Sequence, residues 1–190
     1  MSRRAVFIDR DGVILHSPVE GGIPRPARSA AEFAYLPGVG EALDLIRKAS
    51  LVPVVITNQP DVARGLTTRA LLEAFHERLR QDHGLVHIYT CFHDDKDYCV
   101  CRKPAPGLLQ QAARDLDLSL PRSFMVGDRW RDIEAGFRAG CTTLLVRHPY
   151  SWDASPDVSV SSLLEAAHHI IRNPDTERTP WTSRRATSTT

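Results

Sequence analysis

Phe7-Ile8-Asp9-Arg10-Asp11-Gly12-Val13 is the stretch on which the reading of this chain turns. Ala5 to Ile8 is a short, unbroken apolar run, the pattern of a parallel strand buried on both faces. Gly12 lets the backbone turn sharply where that strand ends. Asp9 and Asp11 are thereby placed together at the carboxyl edge of a sheet, where open α/β folds bind their ligands. Two anions this close repel unless a cation or a shared proton joins them. The pair predicts a Mg²⁺ site with one carboxylate free to attack; a calcium loop or a solvated turn is the plainer alternative.

Three further segments repeat the logic. Leu51 to Ile56 is a second β-branched, apolar run, ending in Thr57-Asn58-Gln59. Ser123 to Val126 is a third, ending in Gly127-Asp128-Arg129-Trp130-Arg131-Asp132. Between them, Cys101-Arg102-Lys103-Pro104 supplies a cation just ahead of a predicted helix. An acid pair, a hydroxyl, a lysine and a further acid, in that chain order, resemble the four motifs of the haloacid dehalogenase-like phosphohydrolases. The resemblance runs from Val6 to Val146.

That resemblance implies a Rossmann-like, doubly wound parallel sheet and a set of roles that spacing alone does not assign. Asp9 is the nucleophile, forming an aspartyl-phosphate, and Asp11 is the acid and base that serves the leaving oxygen and then the attacking water. Thr57 and the backbone N–H of Asn58 hold phosphoryl oxygens, and Lys103 adds full charge as the transition state forms. Asp9, the backbone carbonyl of Asp11, and Asp128 hold Mg²⁺, which keeps several waters of its own. Asp132, one turn further on, is read as a helix N-terminal acid behind the site. Arg129 either touches substrate or faces solvent.

Length and composition fit this picture. The chain has 190 residues, a hydrophobic fraction of 42% and a net charge of +1. It is predicted to hold one phosphatase domain over 1–172 and a disordered tail over 173–190, rich in Pro, Thr, Ser and Arg, with Trp181 its only large apolar residue. No run approaches a membrane span, and the N-terminus lacks the apolar segment of a secretory signal, so a cytoplasmic monomer is expected. Near-neutral charge without a basic, aromatic-rich stripe gives no reason to expect nucleic acid as a partner. The absence of a G-x-x-x-x-G-K-[ST] loop removes support for nucleotide-dependent transfer.

Cys91, His93, Cys99 and Cys101 fall within eleven residues and offer a complete tetrahedral set for a structural Zn²⁺, with no open position for catalysis. Cys141 opens the run to Val146 and is read as a core residue. His76, His83, His87, His168 and His169 carry no motif and are given no catalytic role.

Alternating patterns predict helices over 38–48, 67–81, 106–116, 131–139 and 161–171, with strands at 86–90 and 142–146 between them. Residues 16–31, rich in Pro and Gly, are read as a loop beside the site. No insertion is long enough for a separate cap domain, so this loop and the zinc loop are left to recognise substrate in an open site.

Cys91-x-His93 with Cys99-x-Cys101-Arg102-Lys103-Pro104, Thr57-Asn58-Gln59 and Ala63-Arg64-Gly65 resemble the subgroup of heptose 1,7-bisphosphate 7-phosphatases and histidinol phosphatases. The implied substrate is a small phosphorylated sugar that Arg102 helps to hold, its planar fork suiting a second phosphate or a carboxylate. Pro60-Asp61 and the loop after Asp11 depart from the subgroup's pattern, which bears on substrate and spares the catalytic set. Histidinol phosphate and a polynucleotide 3′-phosphate are the alternative substrates. A zinc-stabilised binding module is the alternative outside enzymes.

Overall fold

The structure, a computed structural model, describes residues 2–174. The predicted tail lies outside the described residues from 175 onward, Trp181 included. Six parallel strands form the sheet: β1 (Ala5–Ile8), β4 (Val52–Asn58), β5 (Ile88–Cys91), β6 (Phe124–Gly127), β7 (Thr142–Val146) and β8 (Val158–Val160). Their spatial order is β5-β4-β1-β6-β7-β8. The chain leaves β1 for one side of the sheet and later returns on the other, so the ends of β4, β1 and β6 flank a topological switch point.

Each run is apolar because both faces are covered. Val6 and Ile8 face a core built with Leu43, Phe75 and Ala166, whereas Ala5 and Phe7 face a second core with Leu109, Met125 and Ala135. Helices α1 (Val39–Lys48), α2 (Arg69–His83), α3 (Gly107–Leu116), α4 (Trp130–Ala139) and α5 (Leu163–Arg172) supply those covers. In α1 the buried residues are Val39, Ala42, Leu43 and Ile46, the stripe of a 3.6-residue repeat. Thr68 caps α2 through its side chain to Leu71 N, and Gly140 closes α4 in the left-handed conformation. No described helix is long and apolar enough to cross a membrane.

The expected α/β fold is present, with two differences. Residues 16–31 are more than a loop: β2 (Val19–Glu20) and β3 (Ile23–Pro24) form an antiparallel hairpin. Gly21 and Gly22 turn it with positive φ at both central positions, as a type I′ turn demands. Strands of two residues are too short to show a period. β8, at three residues, was missed for the same reason.

One buried charge shapes the interior. Arg10 is fully buried, donates through Nε and Nη2 to Asp11, and lies with Nη1 3.3 Å from His76 Nε2. Guanidinium only donates, so His76 accepts there as a neutral ring. Burial first, then the Arg10 charge, pushes the His76 pKa down from 6.5 to about 4. Below 6.5 the unfolded chain takes up a proton that the folded one refuses until near pH 4, so stability is lost as pH falls through this window. Urea unfolding should show a loss of about 3 kcal/mol from this group between neutral pH and pH 4. The His76→Gln variant should show a shallower slope.

Candidate active site

The carboxyl ends of β4, β1 and β6 open into a cavity of about 380 Å³, within the range of small-molecule sites. Asp9 follows β1, Asn58 ends β4, and Asp128 follows β6; all three line it, with Asp11, Lys103 and Asp132. The hairpin contributes Glu20, Ile23 and Pro24 to one wall, and the loop after β5 contributes Asp95 and Arg102 to another. The two loops expected to recognise substrate thus do border the site.

Lys103 is buried and has all three ammonium protons placed. Its Nζ donates to Asp9 Oδ1 at 2.7 Å and to Ile56 O at 2.8 Å, and lies 2.6 Å from Asp132 Oδ1. Burial opposes its charge, but Asp132 and Asp9 hold its pKa above the usual lysine value. Its backbone is fixed as well: the Asn58 side chain donates to Lys103 O at 3.0 Å and accepts from Lys103 N at 3.1 Å. The β4 end and the zinc loop are thereby clamped together.

Asp9, Asp128 and Asp132 bring carboxylate oxygens within 4.8 Å of one another. Burial is the main cause that pushes Asp9 up to about 7, against the lowering pull of Lys103. Burial, then Asp132 and Asp9, raises Asp128 well above its usual value. The Asp128 Oδ2 accepts from Tyr150 at 2.9 Å, and the backbone carbonyl of Asp128 accepts from Ser151 Oγ at 2.6 Å. Its buried Oδ1 has no hydrogen-bond partner. Three crowded acids and one orphaned oxygen fit a hard divalent cation.

Sequence reading underrated Asp132. It is the N-terminal helix acid expected, accepting from Arg129 N at 3.0 Å, and it is also a buried member of the acid cluster on Lys103. Gly127 was the available signal: a Cβ there would lie 2.1 Å from the Asp132 Cβ, so only glycine admits this approach. Gly12 plays the same part for Asp128, with a Cβ position 2.1 Å from Oδ2.

Thr57 is fully buried and is not among the cavity-lining residues. Its hydroxyl accepts from Gln59 Nε2 at 2.7 Å, and the same amide group donates to Asp11 Oδ2 at 2.7 Å. Gln59, Tyr150 and Arg10 were therefore missed. Each contacts an acid of the site; Gln59 and Tyr150 carry no charge to mark them in sequence, and Arg10, between Asp9 and Asp11, was given no role. Arg129 lines the cavity.

Cys91, His93, Cys99 and Cys101 also come together. Cys101 Sγ lies 3.4 Å from both other thiols, Cys91 and Cys99 are 3.7 Å apart, and His93 Nδ1 is 3.3 Å from Cys101 and 3.6 Å from Cys91. A tetrahedral Zn²⁺ with 2.3 Å bonds to sulfur needs edges of about 3.8 Å, close to this arrangement. Cys141 is buried in the second core and is not part of that ligand cluster.

Comparison with known proteins agrees with this geometry. A family model described as HAD-hydrolase-like matches residues 100–166. The D-glycero-β-D-manno-heptose-1,7-bisphosphate 7-phosphatase of Bordetella bronchiseptica is 36% identical over 76% of this chain and 80% of its own. The protein of that name from Helicobacter pylori J99 is 35% identical over 80% and 90%. The crystal structure of the B. bronchiseptica D,D-heptose 1,7-bisphosphate phosphatase, complexed with magnesium and phosphate, superposes with a TM-score of 0.77 at 30% identity, covering 89% of this chain and 98% of that one. The Burkholderia thailandensis D,D-heptose 1,7-bisphosphate phosphatase follows at a TM-score of 0.62 and 25% identity, covering 89% and 99%. With motifs, sheet order and relatives in agreement, the chain belongs to the haloacid dehalogenase-like phosphatases, in the heptose-bisphosphate phosphatase family.

Proposed function

We propose that this phosphatase removes the 7-phosphate of D-glycero-D-manno-heptose 1,7-bisphosphate, with Asp9 as the attacking group. The observation that carries the reading is the meeting of Asp9, Asp128, Asp132 and Lys103 at three adjacent strand ends inside one cavity. Asp9 attacks phosphorus in line with the leaving sugar oxygen and becomes an aspartyl-phosphate. Asp11 protonates that oxygen and then takes a proton from the water that cleaves the acyl-phosphate. The transferred group stays beside the Lys103 ammonium, with the Asn58 N–H as a further donor. Thr57, buried behind the cavity and bonded to Gln59, supports that wall and does not touch the substrate as the resemblance implied.

Asp9, the Asp11 carbonyl and Asp128 would hold Mg²⁺, with Asp132 close by, and bound Mg²⁺ would neutralise phosphoryl charge. Zn²⁺ on the four Cys and His ligands would fix the loop that presents Arg102 and Lys103. Arg102 and Arg129 would contact the sugar phosphate, and the protein would act in the cytoplasm.

Tyr150 gives this reading a check of its own. Its donation to Oδ2 leaves Oδ1 of Asp128 as the oxygen free for a cation. Tyr150→Phe should raise the Mg²⁺ concentration for half-maximal activity by roughly tenfold, the lower end expected for a lost hydrogen bond to a charged group. KM for substrate at saturating Mg²⁺ should stay within about twofold by the same reasoning. Mn²⁺ binding followed by electron paramagnetic resonance would report the affinity directly.

The substrate is tested by rates on heptose 1,7-bisphosphate, histidinol phosphate and a 3′-phosphorylated oligonucleotide, with and without Mg²⁺. The heptose ester should have the highest kcat/KM. A preference for histidinol phosphate would overturn the substrate and leave the chemistry standing. No Mg²⁺-dependent turnover of any ester, an aryl phosphate included, would point to a binding module.

A further inference from the structure

The outer wall of the cavity holds charge that the phosphoryl chemistry leaves unused. Asp95 sits in a short 3-10 turn of the zinc loop. Its Oδ1 accepts from Arg102 Nε at 2.9 Å and from Arg131 Nη1 at 2.7 Å. Its Oδ2 takes the second Arg102 nitrogen at 3.3 Å and lies 3.7 Å from Arg64 Nη2. Three guanidiniums from three separate segments converge on one carboxylate. Arg102 adjoins Lys103 and Arg131 adjoins Asp132, so the convergence lies one residue from the phosphoryl centre on each side.

The match between these partners is unequal. Arg64 is shared with Asp94 and with Asp61, which lies 3.7 Å from it, yet Asp95 still offers a single charge and two oxygens to Arg102, Arg131 and part of Arg64. A phosphate dianion offers more charge and three oxygens, and guanidinium forks suit it at least as well. The Asp95 side chain is 54% exposed, so it can turn into water without unpacking anything.

We propose that Asp95 is a resident anion, occupying in the free protein a three-guanidinium subsite whose ligand in the complex is the second phosphate of a bisphosphorylated substrate. This rests on the phosphatase reading of the site and adds Arg131, Arg64 and Asp95 to it. The exchange is one of ion pairs: the substrate's distal phosphate takes the guanidiniums, and the Asp95 carboxylate becomes hydrated. A phosphate tethered to a sugar already held at Asp9 competes at a high effective concentration, whereas free phosphate does not. Asp95 therefore keeps lone anions out of a subsite that a tethered phosphate can still enter.

The test is calorimetric and uses the Asp9→Asn protein, so that ligands bind without turnover. Heptose 1,7-bisphosphate, heptose 7-phosphate (which lacks the distal group), fructose 1,6-bisphosphate and inorganic phosphate are titrated into it. The same titrations follow with Asp95→Asn or Arg131→Ala added, with zinc content checked in each protein. Asp95→Asn should tighten a bisphosphate and inorganic phosphate severalfold and leave the 7-phosphate within about twofold; Arg131→Ala should weaken a bisphosphate about tenfold. Weaker bisphosphate binding in Asp95→Asn would make Asp95 a mere support for the arginines and end the proposal. So would equal changes on heptose 1,7-bisphosphate and 7-phosphate, or no bisphosphate bound more tightly than the 7-phosphate by the parent protein. Preference for the fructose ester would keep the subsite and reject the heptose substrate. Failure of the wild-type protein to hydrolyse any ester would reject the activity, while the titrations would still decide the subsite.

Discussion

Asp9→Asn should fold normally and lose at least about a thousandfold in kcat, because the amide keeps the shape of the side chain and cannot form the acyl-phosphate. Its packing predicts the fold's survival. Lys103, the main partner of Asp9, keeps Asp132 at 2.6 Å and Ile56 O at 2.8 Å after the change. Removing one of three crowded carboxylates also relieves repulsion on Asp128, which offsets the weakened bond to Lys103. Stability should therefore stay within about 2 kcal/mol of wild type by urea unfolding. Rapid-quench trapping should find phosphate on wild-type protein and none on the variant. Near-normal turnover, with deamidation excluded by mass, would place the nucleophile elsewhere.

Loss of zinc is the second large effect. The purified protein should carry one Zn²⁺ per chain, and Cys99→Ser should lose it. The sheet has its own cores and survives, so the damage falls on the loop from Cys91 to Lys103. That loop holds Arg102, whose Nη1 donates to His93 O at 3.2 Å, and it carries Lys103 into the site. Activity should drop by roughly ten- to a hundredfold, the scale for disturbing positioned groups, with Mg²⁺ dependence unchanged. Hydrogen exchange should quicken at residues 92–102 and remain slow in β1 and β6. A protein free of zinc after metal-replete, reducing purification would dispose of the site.

The strands of the switch point were legible because they are buried on both faces and so carry no polar residue until the chain reaches the site. Asp9, Thr57 and Asp128 stand at the ends of such runs, and Cys and His spacing announced the clustering of Cys91, His93, Cys99 and Cys101. What sequence could not show was contact between distant segments. Tyr150 reaches Asp128 from a loop 22 positions on, and Asp132 reaches Lys103 only because Gly127 leaves room. Arg10 was given no role by the sequence, yet it is buried against His76 and bonded to Asp11. The hairpin escaped because its strands are two residues long. Its registry depends on Gly21 and Gly22 and on ion pairs within the segment.

Those ion pairs make the hairpin region a transplantable cassette. Arg25 bonds Glu20 at 2.6 Å and Glu32 at 2.8 Å, and Ser17 Oγ donates to Arg25 O at 2.7 Å, so the segment balances its own charge. Arg28, bonded to Asp61 at 2.9 Å, ties it to the loop after β4, joining two places where this chain departs from its subgroup. Residues 16–32 of this chain, grafted into a relative, should therefore arrive with their internal salt bridges intact, provided Asp61 travels with them. Substrate range can drift by recombination of this piece while the phosphatase scaffold beneath it stays unchanged.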